Sequence, residues 1–170
     1  ALFDGVNDCL SAPVSTPANS DLSWAGWLYP ENIDTAYHSL FTLRPVGGGQ
    51  GIGVWIVNQT QLFVILPSGA NYTTGSILTA SAWNHLAVVR TGSNYLFYVN
   101  GVLRDVTVNA TRPAIAQLDL GGADNFFKGR LDEVAVFDRA LSASQVLSET
   151  AGIYNPSDLI VKPSDTLAYT

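Results

Sequence analysis

The clearest fold signal in this chain is Trp83-Asn84-His85-Leu86-Ala87-Val88-Val89-Arg90, followed by Tyr95-Leu96-Phe97-Tyr98-Val99-Asn100-Gly101. Within the first run every second residue falls on the same side of the chain, which is the two-residue period of a β-strand. Thr91-Gly92-Ser93-Asn94 supplies the small residues of a tight connection, and Asn100-Gly101 is the favoured pair for a second chain reversal. We therefore predict an antiparallel meander that ends near Asp105.

Short apolar runs broken by Gly, Pro, Asn and Ser continue along the rest of the chain. Ile52 to Val57 and Gln61 to Leu66 predict a second hairpin, because Asn58-Gln59-Thr60 suits a turn. The one helix signal is Ser142 followed three residues later by Gln145, which is a capping box. The sequence therefore predicts an all-β protein, a two-sheet antiparallel jelly-roll sandwich with one short helix near the C-terminus.

The sequence also predicts side-chain orientations in two strands. Trp24 and Trp27 lie in a strand-like run that Pro30 ends, and we expect both indoles in the core. The run from Leu131 to Phe137 predicts the last strong strand. Because neighbours on a regular strand point to opposite faces, we expect Asp132 and Glu133 on different sides of it.

Three segments of the sequence resemble one known family. The Trp83 meander, Phe3-Asp4-Gly5-Val6-Asn7-Asp8 and the run from Gly129 to Ser142 are similar to laminin G-like jelly rolls of the concanavalin A-like lectin superfamily. They follow the family's order and span roughly residues 1 to 150. The resemblance implies the concanavalin A-like fold, and the superfamily hosts lectins, glycanases, adhesion modules and virion proteins.

The domain organisation follows from these segments and from the C-terminal composition. We assign residues 1–151 to the jelly roll and 152–170 to an extended tail, or a linker to a following domain, punctuated by Pro156 and Pro163. The chain begins at Ala1 and contains no Met, so we expect it to be part of a longer polypeptide.

Charge and hydropathy exclude two classes of partner. The net charge is −6 and the eight Lys and Arg residues are scattered, so the sequence lacks the basic patch that nucleic-acid binding requires. The apolar runs are far shorter than the roughly 18 residues that span a bilayer. We predict neither nucleic-acid binding nor membrane insertion.

Catalytic patterns are missing from the sequence. A retaining glycanase could carry two carboxyl groups on alternate residues of one strand, but Glu31, Glu133 and Glu149 have no acidic residue two positions away. His38 and His85 lie far apart in sequence, and His85 is expected to be a hydrogen-bonded structural histidine. We predict that the chain is not an enzyme, with glycan processing as a disfavoured alternative.

Calcium is a candidate cofactor at one rim of the sandwich. The resemblance implies that the N-terminal segment lies close to the late strand, which would bring Asp4, Asn7, Asp8 and Asp132 into one oxygen-rich site. The alternative is that Asp4-Gly5 is only a turn and that Asp132 is a strand-edge hydrogen-bond acceptor.

Two loops could bind a sugar, which needs an aromatic plate beside amide or carboxylate groups. The first carries Asp124, Asn125, Phe126 and Phe127, and one of its two rings should point outward. The second carries Tyr37 and His38 with Asp34. The alternative for either loop is that its aromatic residues pack beneath the loop itself.

These observations favour a non-catalytic recognition or adhesion module, lectin-like and carbohydrate-binding, on a secreted, cell-surface or virion-surface protein. The alternative function is a structural decoration or fibre domain of a viral (phage) particle, acting through protein–protein contacts. The partner would then be a glycan in the first case and a neighbouring protein subunit in the second.

Overall fold

The chain folds into two antiparallel sheets packed face to face, which confirms the predicted jelly-roll sandwich. The computed structural model describes residues 1–31, 36–48, 51–108, 111–122 and 125–151, together with the backbone of 159–161 and 168–169. The strands and the helix are β1 (Leu2–Asp4), β2 (Leu10–Thr16), β3 (Leu22–Pro30), β4 (His38–Pro45), β5 (Ile52–Val57), β6 (Gln61–Ile65), β7 (Asn71–Thr73), β8 (Asn84–Thr91), β9 (Asn94–Val99), β10 (Val102–Val108), β11 (Ile115–Leu120), β12 (Lys128–Phe137), α1 (Ala143–Glu149), β13 (Leu159–Val161) and β14 (Ala168–Tyr169).

The two sheets differ in strand order. The first sheet runs β1–β12–β3–β8–β9–β10, and β13 also pairs with β12. The second sheet runs β14–β2–β11–β4–β5–β6–β7. The chain therefore passes repeatedly from one sheet to the other, as a jelly roll requires.

The predicted meander is present as β8, β9 and β10 of the first sheet. Its second turn uses Asn100 and Gly101 with φ values of 52° and 77°, the left-handed region that this residue pair favours. The Asn100 side-chain oxygen also accepts a hydrogen bond from the His85 N–H at 2.9 Å. The turn between β9 and β10 is thus also hydrogen-bonded to β8.

The main core lies between the sheets, and a stacked pair of aromatic rings crosses it. Trp24 of β3 is 1% exposed and stacks on Phe41 of β4, with ring centroids 4.3 Å apart and planes 12° apart. This contact joins the centre of the first sheet to the centre of the second. The prediction for Trp24 is confirmed.

Two buried arginines hold the turn that joins β2 to β3. Arg112 donates to the carbonyl oxygens of Pro17 (2.6 Å) and Ser20 (3.1 Å), and Arg90 donates to the Ser20 carbonyl at 2.9 Å. Arg112 is 1% exposed, and burial lowers the pKa of its guanidinium. These oxygen acceptors offset part of the cost of burying the two guanidinium groups.

Helix α1 covers one half of the outer face of the first sheet. Its predicted capping box is confirmed, since Ser142 accepts from the Gln145 N–H while the Gln145 side chain accepts from the Ser142 N–H. Val146 packs into a second apolar cluster with Ala25, Ala87 and Phe137. In the part of the chain that the structure describes, no helix has the length and apolar composition that crossing a bilayer requires.

The described residues of the C-terminal tail pair with the sandwich. Val161 lies opposite Val136 of β12, and Tyr169 lies opposite Leu10 of β2. These short strands stay with the two sheets instead of leaving them. The assignment of 152–170 as a tail or linker beyond the domain, and the longer polypeptide that it implies, stay predictions.

Candidate functional site

An aromatic strip lies on the outer face of the second sheet. Strand alternation places it there, because Ile52, Val54 and Ile56 of β5 point into the core and leave Trp55 on the other side. Phe63 of β6 faces outward for the same reason, directly opposite Trp55 in the ladder. The aromatic strip comprises Tyr37, Phe63 and Trp55.

The three rings of the aromatic strip form a continuous surface. The ring centroids of Tyr37 and Phe63 lie 4.4 Å apart, and those of Trp55 and Phe63 lie 6.1 Å apart. Tyr37 is 44% exposed, and the other two are half-buried. The strip therefore presents ring surface to solvent while its lower side rests on the sheet.

Gly53 makes room for the Trp55 ring to lie across its own strand. A Cβ atom at Gly53 would fall 2.3 Å from the Trp55 Cη2 atom, which is much closer than real carbon contacts. The two residues lie on the same side of β5, two positions apart. Without a side chain at Gly53, the indole rests against the sheet and turns one face outward.

A polar cluster adjoins the aromatic strip on the same face. Thr42 of β4 lies opposite Gly53 on one side and Asp119 of β11 on the other. Asp119 accepts hydrogen bonds from Ser11 and Gln117, each at 2.6 Å, and it is paired with Arg44. The polar cluster comprises Ser11, Thr42, Arg44, Gln117 and Asp119.

The Asp119 carboxylate is held in its ionised form. Burial acts to raise its pKa, but the hydrogen bonds from Ser11, Gln117 and Arg44 outweigh burial and lower the pKa below its ordinary value. The Arg44 side chain remains 47% exposed and has further N–H groups beyond the one at Nε. Asp119 thus fixes the positions of an exposed guanidinium and an amide beside the strip.

The combined surface suits a ligand that has one apolar face and a rim of hydroxyl groups. Residues directly opposite each other in a ladder are about 5 Å apart, so Thr42 lies next to the position that the Trp55 ring covers. The strip offers ring faces, and the polar cluster offers donors and acceptors within the reach of the same ligand.

The structure brings the two predicted sugar-binding loops together. The His38 Nδ1 atom lies 2.9 Å from the Phe126 carbonyl oxygen, and the Ser39 N–H donates to the Asn125 carbonyl oxygen at 2.8 Å. Tyr37 therefore lies at the junction of the aromatic strip and the Asn125–Phe126 loop. Asn125 is exposed and Phe126 is half-buried. Asp124 and Asp34 lie outside the described residues.

The prediction that Phe127 binds a ligand is wrong. It is fully buried and packs against Phe3, with ring centroids 5.9 Å apart. The chain enters β12 at this point, and the strand places the Phe127 ring between the sheets. Of the two adjacent phenylalanines, only Phe126 keeps exposed surface.

The four predicted calcium ligands do not form one site. Asp4 lies opposite Lys128, so Asp132 is four residues further along β12, a distance of about 13 Å. Asp4 and Asp8 instead build a turn, in which Asp4 Oδ1 accepts from the Val6 N–H at 2.7 Å and Asp8 Oδ2 accepts from the Asp4 N–H at 2.8 Å. Calcium stays a prediction, restricted to Asp4, Asn7 and Asp8. Among the described ranges no group of three His, Cys, Asp or Glu residues is placed to hold a metal.

Trp27 is not a core residue, which corrects the prediction that both indoles lie in the core. It is half-buried on the outer face of the first sheet, with its ring 5.3 Å from that of His85.

The predicted orientation of Asp132 and Glu133 is also wrong. Asp132 lies opposite Trp27, and Asp132 and Glu133 line the same pocket, so they do not point to opposite faces. The geometric argument against paired carboxylates therefore fails at these two residues. His85 is buried as expected, but its Nδ1, expected to be hydrogen-bonded, finds no partner among the described residues.

Sequence reasoning missed Trp55, Phe63 and the polar cluster around Asp119. The available signal was alternation in β5 and β6, where Trp55 and Phe63 each stand between two aliphatic residues. Alternation separates the two faces of a strand, but it does not show which of the two is exposed to solvent.

The chain matches a family model over most of its length. The model described as the concanavalin A-like lectin/glucanases superfamily covers residues 4–147. No curated protein sequence matches the chain significantly.

Solved structures show the same fold. A heptameric SAP-like pentraxin from Limulus polyphemus has a TM-score of 0.76 at 15% identity and covers 99% of this chain and 90% of its own. Domain 4 of AbnA, an extracellular GH43 arabinanase from Geobacillus stearothermophilus in complex with arabinotriose, has a TM-score of 0.59 at 26% identity and covers 78% of this chain and 66% of its own. The binding domain of botulinum neurotoxin serotype G has a TM-score of 0.68 at 14% identity, covering 88% of this chain and 41% of its own. From the family match and the fold, this chain belongs to the concanavalin A-like lectin/glucanases superfamily.

Proposed function

We propose that this chain is a non-catalytic carbohydrate-binding module that binds a glycan on the outer face of its second sheet. The observation that carries the proposal is the aromatic strip beside the polar cluster. A pyranose or furanose ring has an apolar face that stacks on an aromatic ring and hydroxyl groups that need hydrogen-bond partners. Both requirements are met within one row of adjacent strands.

The residues divide into stacking and hydrogen-bonding groups. Trp55 and Tyr37 stack against successive sugar rings. Phe63 lies between these two aromatic side chains and keeps them at a fixed spacing. Thr42, Arg44 and Gln117 bind hydroxyl groups on the side of the polar cluster. Asn125 adds an exposed amide at the Tyr37 end, so the site suits an oligosaccharide better than a single sugar.

Two further observations support a binding role without catalysis. Domain 4 of the arabinanase AbnA, 26% identical to this chain, has been solved with arabinotriose bound. At the aromatic strip, Asp119 is the one carboxyl group among the described residues, and three donors hold it ionised. Glycoside hydrolysis uses a pair of carboxyl groups, one of which must carry a proton. We place such a module on a secreted, cell-surface or virion-surface protein.

The first prediction concerns Trp55→Ala. A glycan array identifies the best oligosaccharide, and calorimetric titration compares the variants. We expect Trp55→Ala to weaken binding by at least about tenfold, because the loss of a central stacking ring removes a hot-spot contact. The matched control is Trp83→Ala, which removes an exposed tryptophan on the opposite sheet and should bind normally.

Three results would contradict the proposed site. One is a blank array, and another is wild-type affinity in Trp55→Ala. The third is loss of binding on addition of a chelator, which would move the site to the Asp4–Asp8 turn. Circular dichroism of each variant establishes that it is folded.

A second candidate function is assembly through β10. This strand lies at the edge of the first sheet and exposes several apolar side chains. Val102, Leu103, Val106 and Val108 are between 45% and 67% exposed. Contacts through such a strand would suit a structural domain of a larger particle. Strand addition itself is disfavoured, because Asp105 Oδ1 already accepts from the Val106 N–H at 2.8 Å and the ladder is irregular at Arg104.

The second prediction tests this assembly surface. If β10 is an interface between copies of the chain, sedimentation velocity should show dimers or larger species, and Val106→Arg should shift them to monomer. Thr73→Arg, on the exposed edge strand β7 of the other sheet, is the control and should leave association unchanged. A wild-type chain that stays monomeric at every concentration would remove this function.

A further inference from the structure

A second pocket lies on the other side of the sandwich, on the half of the first sheet that α1 leaves uncovered. It is an open depression of about 400 Å³, lined by Trp27, Trp83, Asp132 and Glu133. Trp83 is 43% exposed, and both carboxylate residues are exposed. The pocket is on the opposite face from the aromatic strip, so the two sites share no residue.

A β-bulge in β12 brings the two carboxylates to one place. Asp132 lies opposite Trp27 and Ala135 lies opposite Ala25, so two residues of β12 face the single Gly26 between them. Glu133 takes a φ of 48°, which a glutamate rarely adopts. Backbone strain of this kind is concentrated at functional sites, where it re-aims a side chain.

The pocket carries the negative charges of Asp132 and Glu133, and its described lining residues include no cation. Within the described part of the chain neither Asp132 nor Glu133 forms an ion pair. The neighbouring cation on β12, Arg130, is paired with Glu31 at 2.8 Å and lies 5.4 Å from the centre of the Tyr29 ring. Its charge is therefore engaged outside the pocket.

The imidazole next to Trp27 adds no positive charge. His85 lies opposite Trp27 in the ladder, with the two ring centroids 5.3 Å apart, and is 2% exposed. Burial lowers the pKa of its imidazole to about 4, so the ring is neutral at physiological pH. Two indole rings and two carboxylates thus line the pocket, and none of these four residues is cationic. The Ala1 ammonium, which donates to the carbonyl oxygen of Leu131 at 2.5 Å, is not among the described lining residues.

We propose that this pocket binds an alkylated ammonium group, with a trimethylammonium group as the best fit. Indole faces attract cations through their quadrupole, and Trp is the strongest of the aromatic side chains in this respect. A quaternary ammonium is weakly hydrated, so moving it from water onto the two indole surfaces costs little desolvation free energy. The carboxylates of Asp132 and Glu133 balance its charge at the rim.

Other ligand classes fit this pocket less well. An anionic ligand would be repelled by the two carboxylates. A hard divalent cation needs six to eight oxygen ligands, and indoles provide none. A neutral sugar would stack on the tryptophans but would leave the charge of the carboxylates uncompensated. A cation with an apolar surface satisfies both kinds of lining residue.

The test compares choline with neohexanol, its uncharged carbon isostere, by N–H correlation NMR of the full chain. The chain has four tryptophans, so the indole signals report separately on each site. We expect choline to shift the Trp27 and Trp83 signals and to leave those of Trp24 and Trp55 unchanged. Choline should bind about tenfold more tightly than neohexanol, because only the cation is attracted to the indole faces and to the carboxylates of Asp132 and Glu133.

Variants separate charge from shape. The double change Asp132→Asn with Glu133→Gln should weaken choline binding about tenfold and leave neohexanol binding unchanged. Asp138→Asn removes an exposed aspartate at the end of the same strand and should have no effect. Trp83→Ala should abolish the choline shifts, whereas Trp55→Ala should keep them.

Two outcomes overturn the proposal. One is equal affinity for choline and neohexanol, which would make the pocket merely apolar. The other is the absence of choline-induced Trp27 and Trp83 shifts up to about 10 mM, a concentration that detects even weak small-ligand binding. Nε-trimethyllysine carries the same cation, and the tighter of the two ligands identifies whether a choline-type headgroup or a methylated lysine side chain is the source.

Discussion

Replacement of Trp24 by alanine is expected to lower the free energy of unfolding by about 4 kcal/mol, the range for large aromatic residues removed from a core. Trp24 is 1% exposed, and its ring stacks on Phe41 at 4.3 Å. The change removes the central contact between the two sheets and leaves a cavity that the strands cannot close. Urea unfolding followed by far-ultraviolet circular dichroism measures the loss.

Trp27→Ala is the matched control, since it removes the same side chain three residues further along the same strand. Trp27 is half-buried on the outer face, so we expect a loss of only about 1 kcal/mol from the smaller area returned to water. The same variant should lose the choline-induced NMR shifts. Equal destabilisation by the two changes would contradict the assignment of Trp27 to a solvent-facing pocket.

Arg112→Met is expected to destabilise the fold by about 3 kcal/mol, because several buried acceptors lose their donors while the volume of the side chain is kept. Arg112 donates to Thr16 Oγ1 at 2.9 Å and to the Pro17 carbonyl oxygen at 2.6 Å. It also donates to Ser20 Oγ at 2.7 Å. The expected loss comes from unsatisfied polar atoms in the turn between β2 and β3 and is measured by the same urea unfolding experiment.

Arg104→Met is the control for the loss of an arginine as such. Arg104 is exposed on β10, and its replacement should change stability by less than about 0.5 kcal/mol. Backbone bonds would persist in Arg112→Met, including the one from the Asn19 N–H to the Arg112 carbonyl oxygen at 2.9 Å. If Arg112→Met were as stable as Arg104→Met, those backbone bonds alone would be holding the turn.

The candidate site was predicted in part. Tyr37, His38, Asn125 and Phe126 were identified from loop composition, and the structure brings these two loops into contact. Their neighbours Trp55 and Phe63 were not identified, because they come from a hairpin that is distant in sequence. A site assembled across a sheet depends on strand order, and strand order is not a local property.

The sequence by itself determined the strands of the meander, the Asn100-Gly101 turn, the capped helix and the absence of a basic surface. These features depend on side-chain alternation, on backbone preferences and on charge, all of which act between residues close together in the chain. Only the tertiary structure decided that Trp24 enters the core while Trp27 faces solvent. It also decided that a bulge turns Glu133 to the same pocket as Asp132. The physical reason is that the burial of a strand face, and the register that a bulge shifts, are set by the partner strands and the opposing sheet.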